Sequence, residues 1–94
     1  MIGEKFVEKT ILKSEERKTR SEVVEFLQEI ALKIDKGTVK LVQGEESVEL
    51  SIPDNLTLEI KVEEKIKQGS PEKMQLEIEL EWYVGKKKET IQLA

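Results

Sequence analysis

The chain contains no cysteine and no histidine. Without thiols there are no disulfides, no thiolate metal sites and no cysteine nucleophile. Without imidazole the most versatile general base and transition-metal ligand is missing. Aromatic residues make up only 4% of the chain, so aliphatic side chains must fill any core. No apolar run approaches the roughly 18 residues that a membrane span needs. The first residues, Met1 to Phe6, lack the apolar stretch of a secretory signal, and the expected location is the cytoplasm. A surplus of one charge is missing too, with 20 acidic residues against 16 basic ones and a net charge of −4. Nucleic-acid modules depend on excess Lys and Arg meeting phosphate, and anionic membranes attract polybasic segments. This chain has neither signature.

What is present is enough for one small domain. The chain has 94 residues, of which 37% are hydrophobic and 38% charged. A second core would have too few residues to bury. The dominant pattern is Met74 to Val84, where Met74, Leu76, Ile78, Leu80, Trp82 and Val84 alternate with Gln75, Glu77, Glu79 and Glu81. Strict alternation predicts a long strand with one apolar and one charged face, closing at the only tryptophan.

The rest of the chain can be taken in order. Phe6, Val7, Ile11 and Leu12, interspersed with lysines, fit an edge strand over 5–13. Thr19 and Glu22 match a capping box. Val23, Leu27, Ile30 and Ile34 then recur at helical spacing, and Gly37 stands where a helix ends in a left-handed residue. A helix is expected over 20–36, followed by a switch to alternation. Gln43 to Glu46 reads as a tight hairpin with a type II′ turn at Gly44–Glu45, pairing Leu41 with Val48 and Val39 with Leu50. Pro53, Asp54 and Asn55 form the next turn. Leu56, Leu58, Ile60 and Val62 continue the pattern, and 64–71 reads as a flexible hairpin tip.

Parity restricts the register of the last hairpin. Ile60 must face Ile78 or Leu80, so Lys61 faces Glu77 or Glu79 and Glu59 faces another glutamate. Like charges across a strand pair are destabilising, so Glu59 is expected to have a basic neighbour from a strand on its other side. A basic turn at Lys86 to Lys88 and a short strand at Thr90 to Leu93 complete the reading. The expected fold is α+β: an antiparallel sheet of four to five strands in β-α-β-β-β-β order, with one helix packed on the apolar face. One domain spans 1–94, with a strand about 5–13, the helix about 20–36, a meander about 38–84 and a C-terminal strand or tail over 85–94. The N-terminal strand is expected to pair with the long Met74–Val84 strand.

Taken together, Ser14 to Leu27, Gly37, Gln43–Gly44, Ile52-Pro53-Asp54 and Leu76 to Trp82 resemble the amphi-Trp domain. This small prokaryotic family is named for an amphipathic strand ending in tryptophan. The resemblance covers roughly residues 10 to 84. It implies no activity, ligand or catalytic residue. Many members look acidic around and after the tryptophan, whereas this chain has Tyr83 and the lysines 86–88 there.

Candidate chemistry is sparse. Glu77, Glu79 and Glu81 project from one strand face about 6.5–7 Å apart, too flat an array to converge on Ca²⁺ or Mg²⁺, and they read as a solvated face. Arg17, Lys18 and Arg20 lie where the helix begins, a place that attracts anions. Glu15, Glu16 and Glu22 interleave with them, and no glycine-rich turn is present. Trp82 and Tyr83 are candidate interaction residues, Trp82 on the apolar side and Tyr83 on the other. The serines have no histidine to activate them. No catalytic residue, metal, cofactor or small-molecule ligand is expected.

One helix about 10 Å across is too narrow for a sheet roughly 20–25 Å wide and about 36 Å long. Uncovered apolar surface of this kind marks interfaces. The leading expectation is a non-enzymatic protein-interaction module that binds itself, as a homodimer, or another protein. The alternative is an anion- or nucleic-acid-binding domain using the basic loop before the helix.

Overall fold

The computed structural model describes residues 6–85 and Leu93. The chain divides into two compact units, Met1–Ile52 and Pro53–Ala94. The first unit is built around α1, Arg20–Lys36. Thr19 caps it: the Thr19 hydroxyl accepts from the Glu22 amide at 3.1 Å, and the Glu22 carboxylate accepts from the Thr19 amide at 3.0 Å. Two donors that a helix start leaves unpaired are thereby satisfied. Glu22 in the first turn, and Lys33 and Lys36 in the last, complement the helix dipole. The helix stops at Gly37, whose φ of 89° is left-handed, and the Gly37 amide donates back to the Ile34 carbonyl at 2.9 Å.

Gly37 also opens the first hairpin, because its carbonyl accepts from the Ile52 amide at 2.8 Å. Strands β1 (Thr38–Gln43) and β2 (Glu46–Ser51) pair antiparallel, with Val39 opposite Leu50 and Leu41 opposite Val48. Gly44 has φ 59°, while Glu45 is not among the residues with positive φ. A type I′ turn needs both central residues positive, so the turn is the expected II′. Helix α1 packs on β1, and Ile30, Ile34, Leu41, Val48 and Leu50 are half-buried. Val39, 4% exposed, is the one buried side chain among the described residues.

The second unit is a ribbon of two long strands, β3 (Thr57–Lys67) and β4 (Ser70–Glu81). Ile60 faces Ile78, Lys61 faces Glu77 and Glu59 faces Glu79. This is the first of the two registers that parity permits. The expected flexible tip is instead ordered pairing up to Lys67 opposite Ser70. Gln68 and Gly69, with φ 52° and 78°, make a two-residue turn of the I′ kind. The register slips by one residue between Lys65 and Ile66, so Glu72 has no partner and Pro71 sits beside the bulge. Proline has no amide to give to a ladder, and a bulge is where a strand tolerates it.

Three expectations require correction. The four strands form two separate two-stranded sheets rather than one sheet of four or five. Alternation fixes which way side chains face, but only a turn short enough to keep the ladder in register joins neighbours. Here five residues, Ile52 to Leu56, separate β2 from β3, Pro53 carries no amide donor, and the Ile52 amide is already engaged by Gly37. The N-terminal edge strand is also absent: residues 6–13 pair with no strand, and Phe6, Val7 and Ile11 are exposed. Their irregular alternation supplies no continuous apolar face to bury. Finally, β4 ends at Glu81, short of Val84. The basic turn at Lys86–Lys88 and the short strand at Thr90–Leu93, apart from Leu93 itself, lie outside the described residues.

Candidate interaction surfaces

The ribbon's two faces differ chemically because both strands alternate in step. On one face Leu58, Ile60, Val62, Ile66, Met74, Leu76 and Ile78 are each between 55% and 66% exposed. The stripe expected to lie under the helix is thus more than half exposed. Glu64, opposite Met74, is the one charge among these positions and lies toward the turn.

The reverse face is charged. Lys61 pairs with Glu63 at 2.9 Å, and the Gln75 amide group donates to Glu77 at 2.7 Å. The hydrogen bond raises the Lys61 pKa and lowers that of Glu63. Among the described residues no further strand pairs with β3, so none brings Glu59 the expected basic neighbour. Glu59 shares a hydrogen bond with Glu79 instead, which raises the Glu79 pKa, and the charges of Glu81 and Glu59 push the same way. Among the described residues, no group of three or more carboxylates is placed to hold a metal ion.

The first unit carries a cleft of about 750 Å³ between α1, β1 and the segment before the helix. Leu12, Val23, Phe26, Leu41 and Val42 supply its apolar lining, and Glu22, Glu25 and Glu29 lie along its helical side. The Gln43 side chain donates to the Lys13 carbonyl at 3.2 Å, tying the incoming segment to the end of β1. Ser14, also in the lining, donates to Glu16 at 3.3 Å. Glu16 is exposed and its pKa is lowered, chiefly by Lys18, which makes it a weaker base toward the Ser14 hydroxyl. Val42 is the residue whose signal was legible: it follows Leu41 directly, breaks alternation and puts an aliphatic side chain on the outer face, 66% exposed. Phe26 lies off the main helical stripe in the same way and is 54% exposed.

The basic loop does not act as one cluster. Lys18 contacts Glu16 at 3.1 Å and Glu22 at 3.9 Å, and its bond to Glu16 raises its pKa while lowering that of Glu16. Arg17 and Arg20 make no ion pair among the described residues. Trp82 lies one residue past the end of β4 and is half-buried, whereas Tyr83 is 90% exposed. Trp82 and Tyr83 thus stand at the ribbon's end in the second unit, and the cations at the helix start in the first. Among the described residues, no helix is long and apolar enough to cross a membrane.

A family model described as the Amphi-Trp domain matches residues 6–94. No curated protein and no solved structure matches the chain.

Proposed function

The chain belongs to the Amphi-Trp domain family, and on that premise we propose that it is a non-enzymatic protein-interaction module that associates with itself in the cytoplasm. The observation that carries this reading is the apolar face of the β3–β4 ribbon, seven aliphatic side chains each more than half exposed. The largest apolar patch on an ordinary monomer is about 300–600 Å², and larger ones mark interaction sites.

Energetics support the same reading. Ordering a residue's backbone costs about 1–2 kcal/mol, and fully burying an aliphatic side chain returns about 1.5–3 kcal/mol. Val39 is the one buried side chain among the described residues, and the ribbon's seven aliphatic side chains stay more than half exposed. A two-stranded ribbon is itself marginal in water unless its face is packed against something. Association supplies the missing burial. Static light scattering across a concentration series tests it: the average mass should rise toward twice the 10.8 kDa of one chain. A constant single-chain mass would remove self-association.

The second reading, an anion- or nucleic-acid-binding domain, draws on Arg17 and Arg20, which have no acidic partner among the described residues. It has less support, because the capping box already occupies the Thr19 and Glu22 amides that an anion would use and Lys18 is engaged.

A further inference from the structure

We infer that the seam of self-association is the even-numbered face of β3 and β4, packed face to face against the same face of a second copy, with the Ile60–Ile78 pair in it. This rests on the self-association proposed above and adds its location. Three surfaces compete for that role: the ribbon face, the cleft beside α1, and the strand edges of the two hairpins. Area separates the first two. Counting about 120 Å² for each half-exposed aliphatic residue, the seven ribbon side chains present roughly 800 Å², the share that one partner contributes to a standard-size interface. The cleft has five apolar lining residues interrupted by six charged ones, Glu16, Glu22, Glu25 and Glu29 with Lys13 and Lys18. A second copy seated there would have to bury these charges along with fewer apolar side chains than the ribbon offers.

Charge separates the ribbon's two faces by the same logic. A two-fold interface places a surface against itself, and each residue meets its equivalent or a near neighbour. The odd face carries Glu59, Glu63, Glu77, Glu79 and Glu81 with Lys61, Lys65, Lys67 and Lys73, so packing it against its own image would take nine charged groups out of water. The even face is aliphatic through Leu58–Leu80, Ile60–Ile78 and Val62–Leu76, and its single charge, Glu64, lies toward the turn. Two such ribbons stack at the ordinary sheet-on-sheet spacing of about 10 Å.

The strand edges suit the role less well. A symmetric edge-to-edge pairing leaves both apolar faces in water, and the bulge at Glu72 and the amide-less Pro71 interrupt the β4 edge. Edge pairing therefore leaves the largest unburied surface where it was.

The test uses the full chain. Sedimentation equilibrium from low to high micromolar concentration gives the dimer dissociation constant for the unaltered protein and for I60K, I78K, I78T and E77K. Lysine on the even face should weaken the dimer at least about tenfold. E77K, on the odd face, should leave it within about threefold. Should I78K lose the ribbon's circular dichroism, I78T decides, because threonine keeps strand propensity and shortens the apolar side chain; it too should weaken the dimer. A dimer that I60K, I78K and I78T leave unchanged overturns the seam while leaving self-association intact. An unaltered chain that stays monomeric throughout overturns both.

Discussion

Gly37 is where the first unit is most exposed to a single substitution, and its cost can be worked from the backbone. Its φ of 89° lies in the left-handed region, where an L side chain costs about 1–2 kcal/mol. Space is not the difficulty: a Cβ placed there would lie 4.0 Å from the Ile52 carbonyl oxygen, an ordinary contact. Gly37→Ala should therefore destabilise by about 1–2 kcal/mol, from conformation alone. Gly37→Asn should lose less, since asparagine tolerates this region. A loss of 1 kcal/mol lowers the melting temperature of a domain this size by about 4–8 °C. Urea and thermal unfolding followed by helical circular dichroism would measure it, with chain concentration held fixed because association contributes to stability. A neutral Gly37→Ala would refute the left-handed helix end. Equal losses for Ala and Asn would refute the conformational cause and point to crowding.

Further outcomes follow from the ribbon and the helix start. Gln68 holds φ 52° in a turn that favours Asn-Gly, so Gln68→Asn should raise stability by up to about 1 kcal/mol in urea unfolding; a loss would contradict the I′ turn. Glu79 and Glu22 should show opposite pH dependence. The raised Glu79 pKa means the folded state holds that proton more tightly, so its unfavourable contribution is present above its folded pKa and fades as pH falls toward the ordinary 4.5. Glu22 is held below 4.5 by its bonds to Thr19, so its contribution is present above 4.5 and lost as pH falls through the folded value. Glu79→Gln should raise the melting temperature at pH 7 and Glu22→Gln lower it, and both differences should shrink in acid. Polyphosphate should not bind measurably even at low ionic strength; salt-dependent binding that Arg17→Ala and Arg20→Ala abolish would favour the anion reading.

Local patterns were legible wherever one physical rule acts over few residues. The capping box, the Gly37 stop and the Leu41–Val48 pairing all follow from side-chain chemistry within a turn or two. Parity alone narrowed the Ile60–Ile78 register to two choices. Contacts between distant segments are less legible, because alternation says which side of a strand is apolar but not what covers it. The aliphatic stripe through Met74 and Ile78 looks the same in sequence whether it lines a core or a surface, and its exposure appears only in three dimensions. Glu59 shows the same limit from the polar side. Facing glutamates call for a cation on a third strand, yet among the described residues no further strand pairs with β3, and the Glu79 pKa is raised instead.

Thiol protection tests the central claim most directly, since a chain without cysteine accepts a single reporter. With Cys replacing Ile78, the rate of reaction with a thiol reagent should fall as chain concentration rises through the dimer range. With Cys replacing Glu77, on the opposite face, the rate should stay constant. Equal reactivity of the Ile78→Cys variant at every concentration would contradict a second copy covering this face.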